Sequence, residues 1–258
     1  MFELINDIDG RRVVGTYKYA NRTVKLSTLT SCVHLWSYQY DCSEVEKPDF
    51  FIRTTAEDVE FEAQKALEEG QLKSLPAPEG FKKFLEMTAV YRKLTELLVD
   101  ENIFLMHGSA IAVDGEAYLF TAKSGTGKST HTRLWRERFG ERAVMVNDDK
   151  PLFELKDGHV TVYGTPWDGK HRLSTNTSVP LKAICVLERG VKNEIERLSA
   201  MEALPMLLQQ THRTDDVEKM LKVLTLVEKT LEFIPVYRLR CNMDPEAAKV
   251  AYEGMQNR

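Results

Sequence analysis

Ala122-Lys123-Ser124-Gly125-Thr126-Gly127-Lys128-Ser129 is the stretch on which the reading of the whole chain turns. It matches the phosphate-loop pattern of a glycine, four residues and Gly-Lys-Ser/Thr, with Ala122 standing at the first glycine. A phosphate chain needs many donors and a positive charge in a small space. Gly125 and Gly127 let the backbone approach and turn its N–H groups inward. Lys128 can reach the terminal phosphates, and the Ser129 hydroxyl can ligate Mg²⁺. The helix that should start here points its positive end at the anion. Nucleotide contacts are expected from Lys123, Ser124, Gly125, Thr126, Gly127, Lys128, Ser129 and Thr130. The alternative is a Gly-Ser surface turn with a stray lysine, and the flanking sequence speaks against it.

On the amino-terminal side, Leu105 to Val113 is apolar and β-prone, Asp114-Gly115 signals a hairpin turn, and Glu116 to Thr121 runs into the loop. The strand feeding the loop is then half of an antiparallel hairpin, which points to a mixed, largely antiparallel sheet. On the other side, Lys128 to Phe139 should be a helix anchored by Leu134 and Trp135 and ended by Gly140, with His131 structural. Ala143 to Asn147 reads as an apolar strand that delivers Asp148-Asp149. A carboxylate at such a strand end is the usual partner of a phosphate loop and holds Mg²⁺. Asp148 is expected to serve the metal and Asp149 to take the proton of an incoming hydroxyl. The alternative is a plain turn before Pro151.

A second hairpin, Leu152 to Lys156 and His159 to Tyr163 around Asp157-Gly158, delivers Gly164 to Arg172. That loop is dense in donors, and Thr165, Trp167, Lys170 and Arg172 are candidate contacts to a phosphate or a second substrate. The alternative is a solvated loop with Trp167 tucked against the core. Leu181 to Glu188 and Glu194 to Leu198 suggest a third hairpin around Arg189-Gly190. Ser199 to Glu202 fits a capping box, Asp215-Asp216 opens a further helix, Val236 to Arg240 reads as a strand, and Asp244-Pro245 starts a last helix.

Residues 1–75 look like a small N-terminal α/β unit, and 76–258 like the main domain. Val24 to Leu26, Val33 to Tyr38 and Phe50 to Thr54 are candidate strands there. Thr55 caps a helix running to Gly70. Residues 74–80, rich in proline and glycine, form the linker. An amphipathic helix with Phe81, Phe84, Leu85, Tyr91, Leu94 and Leu98 follows, and is expected to cover the sheet after it.

Composition bounds the function. The chain has 258 residues, is 43% hydrophobic and carries a net charge of −4. That is enough for a full core and the wrong sign for a nucleic-acid footprint. Cys32, Cys42, Cys185 and Cys241 show no metal-site spacing and are expected to be buried fillers in a reducing compartment. Residues 1–10 lack the apolar run of a signal peptide, and no stretch is long enough to span a bilayer. A cytoplasmic protein without nucleic-acid or membrane partners is expected.

Residues 104–176 resemble the catalytic domain of HPr kinase/phosphorylase and share the phosphate-loop class of ATP-dependent phosphoenolpyruvate carboxykinase. The marks are His107-Gly108, Ser124 to Ser129 and Asp148-Asp149. Closer still is the resemblance to HPr-kinase-like proteins found beside bacterial peptide-modification genes. Their patterns His-Gly-Ser-Ala, Gly-Lys-Ser-Thr-His, Asn-Asp-Asp-Lys-Pro and Gly-Thr-Pro-Trp-x-Gly-Lys start here at His107, Gly127, Asn147 and Gly164. The resemblance implies an α/β fold of that class. It also implies that Lys128 binds the β- and γ-phosphates, that Ser129 and one aspartate hold Mg²⁺, that the other aspartate activates the acceptor, and that His107 lines the site. The implied activity is an ATP- and Mg²⁺-dependent kinase acting on a hydroxyl, foremost serine, of a peptide, protein or small molecule. ADP and pyrophosphate stay open as alternative donors, and a homo-oligomer follows by analogy only. Two other readings remain: a carboxykinase-like enzyme, and a nucleotide-binding regulatory protein without turnover.

Overall fold

Turn residues with positive φ cut the first part of the chain into strands, and the computed structural model describes residues 2–7 and 10–256. The expectation for residues 1–10 therefore falls partly outside the described residues. Strands β1 (Glu3–Asp7), β2 (Gly10–Tyr19) and β3 (Arg22–Thr28) form an antiparallel meander. Strand β4 (Phe50–Arg53) pairs parallel to β3, giving the order β1-β2-β3-β4. The β2–β3 turn is Ala20-Asn21, both at positive φ, as a two-residue hairpin requires.

Between β3 and β4, Val33 to Tyr38 is not the expected strand. It forms a short helix, α1 (Cys32–Trp36), and a 3₁₀ turn over Tyr38–Tyr40. A parallel pair needs a crossover, and this crossover seats the His34 ring between two hydroxyls. Nδ1 lies 2.8 Å from the Tyr17 oxygen and Nε2 lies 2.8 Å from Thr28 Oγ1. Gly15 makes the room, since a Cβ there would stand 2.6 Å from the Tyr17 hydroxyl.

Helix α2 (Ala56–Glu68) starts at a capping box of Thr55 and Asp58, as expected. Helix α3 (Glu79–Leu98) is tied to the sheet that precedes it. Its buried Glu86 accepts four hydrogen bonds from the backbone N–H groups of Leu29 and Thr30 and the hydroxyls of Thr30 and Thr54. Arg92 and Lys93 bridge to Glu62 and Asp58 on α2. The chain accordingly divides into compact units 1–97 and 98–258. The expected boundary at residue 75 lies in a loop inside the first of them, because α3 is tied to the earlier sheet by polar contacts that its apolar periodicity does not reveal.

The second unit carries β5 (Ile103–Leu105), β6 (Ser109–Val113), β7 (Glu116–Thr121), α4 (Lys128–Phe139), β8 (Ala143–Asn147), β9 (Leu152–Lys156) and β10 (His159–Tyr163). It continues with β11 (Ser178–Arg189), β12 (Glu194–Arg197), α5 (Ala200–Gln210), α6 (Val217–Phe233), β13 (Val236–Cys241) and α7 (Glu246–Gln256). The sheet order is β5-β9-β10-β11-β7-β6-β8, with β13 on β11 and β12 on β13. The hairpins at Asp114-Gly115 and Asp157-Gly158 stand where the sequence puts them. The third does not. Strand β13 lies between β11 and β12, parallel to the first and antiparallel to the second. Two strand-like runs joined by a short turn do not reveal that a later strand separates them.

The central strands are buried on both faces. Ala110, Ala112, Leu119, Ile184 and Val186 join Leu207 of α5 and Val227 of α6 in one core. Ile111, Tyr118, Phe120, Cys185 and Leu187 pack with Leu134 and Trp135 of α4 and Ala251 of α7 in the other. His131 belongs to this second core, its Nε2 accepting from Trp135 Nε1 at 3.0 Å, which is the structural role expected of it. Of the cysteines only Cys185 is buried; the other three are half-buried, and none of the four is in a disulfide. Among the described residues no helix is long and apolar enough to cross a membrane.

Burial brings His34 down to a pKa of about 4 from 6.5. The unfolded chain therefore takes up a proton before the folded one does. Stability should be present above about pH 6.5 and fall as the pH drops towards 4, by at most ~1.4 kcal/mol per pH unit. His34→Gln should flatten the fall of the thermal midpoint between about pH 7 and 4.5. A slope unchanged from the wild type would show that His34 is not held neutral in the fold.

Candidate functional site

Strands β7, β11 and β13 are parallel, and β8 runs in the same direction as β7 because each is antiparallel to β6 between them. Their carboxyl ends and the amino end of β6 therefore meet along one edge. That edge gathers the loop after β7, Asp148 and Asp149 after β8, and His107 just before β6.

The loop over 122–127 joins β7 to α4. Gly125 and Gly127 have φ of 77° and 126°, and open space surrounds a Cβ built at either, so glycine is required by backbone conformation alone. Gly127 caps α4 with no side chain, which leaves the first-turn N–H groups open for a partner. Lys123, Ser124 and Gly125 are exposed, while Thr126 to Thr130 are half-buried. Lys128 folds back so that Nζ donates to the Ala122 carbonyl at 3.0 Å. Burial lowers its pKa, and the nearby charges of Asp149 and Asp148 act against that shift.

Asn147 sets the turn after β8. Its Oδ1 accepts from the N–H groups of Asp149 and Lys150 at 2.8 and 2.6 Å. Its Nδ2 donates to the carbonyl and hydroxyl oxygens of Thr165 at 3.0 and 2.9 Å. This side-chain turn replaces strand geometry and lets two successive carboxylates serve one region. Asp148 is 4% exposed. Its Oδ1 accepts from Ser109 Oγ at 2.5 Å, and Ser109 in turn lies 3.2 Å from Thr132 Oγ1. Its Oδ2 is buried and, among the described residues, has no hydrogen-bond partner.

Asp149 pairs with His107 Nε2 at 3.0 Å and with Lys150 Nζ at 3.1 Å, and its carbonyl accepts from the Gly108 N–H. Burial alone would raise its pKa. The His107 hydrogen bond, with the charges of Lys150 and His107, overrides burial and holds it at about 2. Lys128, Asp148, Asp149 and His107 are thus brought together, with Ser129 and Thr130 at the same helix start.

A cation fits this chemistry. A buried carboxylate oxygen without a donor is costly unless something positive meets it. Among the described residues no three metal-ligating side chains cluster, but Mg²⁺ takes oxygen ligands and commonly uses one or two carboxylates together with phosphates.

The Gly164 to Arg172 loop lies over this turn. A Cβ on Gly164 would stand 1.9 Å from the Thr175 carbonyl oxygen, and one on Gly169 would stand 3.2 Å from Asp148 Oδ2. Thr165 is fully buried and donates to the Lys150 carbonyl, so its hydroxyl is engaged in the turn. Trp167 is buried, and Asp168 accepts from Ser174 and pairs with Arg172 at 2.9 Å. Lys170 and Arg172 are exposed. Of the four candidates, Thr165 and Trp167 sit inside, Lys170 is exposed, and Arg172 is exposed with its guanidinium tied to Asp168.

Sequence reasoning did not assign Ser109, Lys150 or Arg189, and it named Asn147, with Pro151, only as a residue that makes a turn after β8 plausible. Ser109, Asn147 and Lys150 stand inside quoted motifs, so their place beside His107 and Asp149 was the available signal. Arg189 carried none, and its Nη2 donates to the Gly125 carbonyl at 2.7 Å.

Asn147→Ala should strip partners from several buried groups, each costing ~1–3 kcal/mol. The expected loss is a few kcal/mol in urea unfolding, against a near-neutral result if the turn holds itself.

No curated protein matches the chain. A solved structure, the HPr(Ser) kinase/phosphatase from Coxiella burnetii, aligns over 59% of this chain and 96% of its own, at 9% identity and a TM-score of 0.33, too slight a likeness to bear weight. A family model, SynChlorMet cassette protein ScmC, matches residues 79–246, well over half of the sequence. The chain belongs to the ScmC family of SynChlorMet cassette proteins.

Proposed function

We propose that the second unit is an ATP- and Mg²⁺-dependent kinase that phosphorylates a hydroxyl, foremost serine, on a peptide, protein or small molecule. The observation that carries this reading is Lys128 lying within electrostatic reach of Asp148 and Asp149 at the open start of α4. The loop over 122–129 would act as a phosphate loop, its N–H groups and Lys128 holding the phosphate chain. Asp148, through its unpartnered oxygen, and Ser129 would hold Mg²⁺, which when bound would neutralise charge developing on the transferred group. Asp149 would receive the acceptor proton, oriented by His107 and Lys150. A carboxylate with a pKa of about 2 is a weak base, which suits a loose transition state in which the hydroxyl loses its proton late. Lys170 and Arg172 would meet the acceptor.

Transfer of labelled γ-phosphate from ATP to free serine, peptides and co-purifying proteins tests the activity. Lys128→Ala should remove most nucleotide affinity, since charge-assisted bonds contribute roughly 1.5–3 kcal/mol each. Asp148→Asn should weaken Mg²⁺-dependent ATP binding as well as turnover. Asp149→Asn should spare binding and slow single turnover ~10²–10⁴-fold. If both aspartate variants turn over like the wild type, the pair is structural and the mechanism is wrong.

The pH profile gives a separate check. Asp149 in the free protein is ionised well below neutrality. The kcat/KM profile should then show no acid limb from this residue between about pH 5 and 7. A limb there that disappears in Asp149→Asn would show that Asp149 titrates in that range and is not held at about 2.

A further inference from the structure

The edge that carries the loop has two sides. The carboxylates lie on the β6–β8 side of α4. On the other side, at the carboxyl ends of β11 and β13, is a cavity of about 510 Å³. Nothing in the carboxylate chemistry uses it. Its near wall is Gly125, Thr126 and Gly127 of the loop with Thr130 in the first turn of α4, and its far wall includes Leu187, Cys241 and Met243. Leu134 and Leu187 belong to the core under α4, and Cys241 packs against it, so the floor is apolar.

We propose that this cavity is the nucleoside subsite, taking the base and ribose of the nucleotide whose phosphates lie on the loop. The proposal rests on the phosphate-loop reading of 122–129 and adds a direction to it. Three observations carry it. Ligands of open α/β sheets bind beyond the carboxyl ends of parallel strands, and β7, β11 and β13 are the parallel strands here. A base is a flat group held in concave sites by apolar contacts and a few placed polar groups, and this cavity offers Leu134, Leu187 and Met243 together with His131, Glu188 and Asn242 beside open helix-start N–H groups. Its size falls in the range for small-molecule pockets.

Arg189 fixes the direction further. It stands on the cavity rim, is exposed, and donates to the Gly125 carbonyl; among the described residues it has no carboxylate partner, while the neighbouring Glu188 pairs with Arg238 and Arg240. It therefore sets an unneutralised cation between the cavity and the loop. A second cavity, of about 440 Å³, shares Thr126, Leu187, Glu188 and Arg189 but lies towards Met206, Gln209 and Gln210 of α5. It borders Ala122, Lys123 and Thr126 of the loop but no residue of α4, so of the two cavities only the first reaches the helix start.

Cys241 makes the subsite testable without a substitution. The full chain is treated with N-ethylmaleimide at mildly alkaline pH, alone, with Mg²⁺·ATP or with Mg²⁺·tripolyphosphate. Labelling of each cysteine is followed by peptide mass spectrometry, and calorimetry establishes that each ligand binds. At ATP about ten times its Kd, roughly nine-tenths of the sites are filled, so Cys241 labelling should slow about tenfold. Bound tripolyphosphate should leave it unchanged, and Cys32 and Cys42 should not respond to either. If both ligands bind and Cys241 labels equally with each, the base does not enter this cavity and the inference fails while the phosphate-loop reading stands. If neither ligand binds, the phosphate-loop reading fails and takes the inference with it. Cys241→Phe, checked by its melting curve, should weaken ATP at least tenfold and spare tripolyphosphate; equal loss of both in a folded protein would also overturn the inference.

Discussion

The four hydrogen bonds of the Asn147 side chain are the constraint on which the site depends. Successive residues of a strand point to opposite faces, so a strand continued past Asn147 would send Asp148 and Asp149 apart. The Asn147 carboxamide instead accepts the next two free N–H groups and turns the chain. Asp148 then goes inward to Ser109, and Asp149 goes sideways to His107. The same carboxamide donates to Thr165 and so also holds the base of the 164–172 loop. One wholly buried amide thus fixes two segments at once, and each of its polar atoms is used.

That turn also explains why the two carboxylates differ electrostatically. Asp149 has a histidine and a lysine on its two oxygens, and these outweigh burial. Asp148 has a hydroxyl on one oxygen and, among the described residues, no hydrogen-bond partner on the other. Lys128 lies close enough to feel both but gives its hydrogen bond to Ala122. The arrangement is short of positive charge on the Asp148 side, where a cation would be most stabilising. A pair of identical residues is thereby made unequal by neighbours drawn from β6, α4 and the chain after β8.

Much of the second unit was legible because its signals are local. Asp-Gly turns with positive φ, a capping box at Ser199 and the glycine-bounded span of α4 each act over a few residues, and each stands where the sequence puts it. The failures share a different cause. Strand β2 was missed because Arg12 and Gly15 occupy buried positions that binary patterning reserves for apolar side chains. The strand expected at Val33 to Tyr38 became a helix because a parallel crossover was needed there. The third hairpin was undone by β13, more than one helix further along the chain. In the site, His107, Lys128 and the aspartates were recoverable from motifs. Arg189 was not, since its position against Gly125 follows only from the pairing of β11 with β7.

The mixed topology has a further consequence. Hairpins β6–β7 and β9–β10 make most of the sheet antiparallel, which alone would scatter strand ends over both edges. Parallel pairing at β7, β11 and β13, with β8 in the same sense, collects four carboxyl ends on one edge. The long β11 makes this possible, since it pairs with β10 near its start and with β7 and β13 further on. The helix start of α4 sits between the carboxylate side of that edge and the cavity side. A ligand with a phosphate chain at one end and an apolar group at the other would match the order of groups along it. The antiparallel strands β5, β9 and β10 lie beyond β11, and β9 and β10 supply the 164–172 loop that reaches back over Asp148. The groups of the candidate site thus come from separated parts of the chain, while the edge that holds them is built from a single sheet.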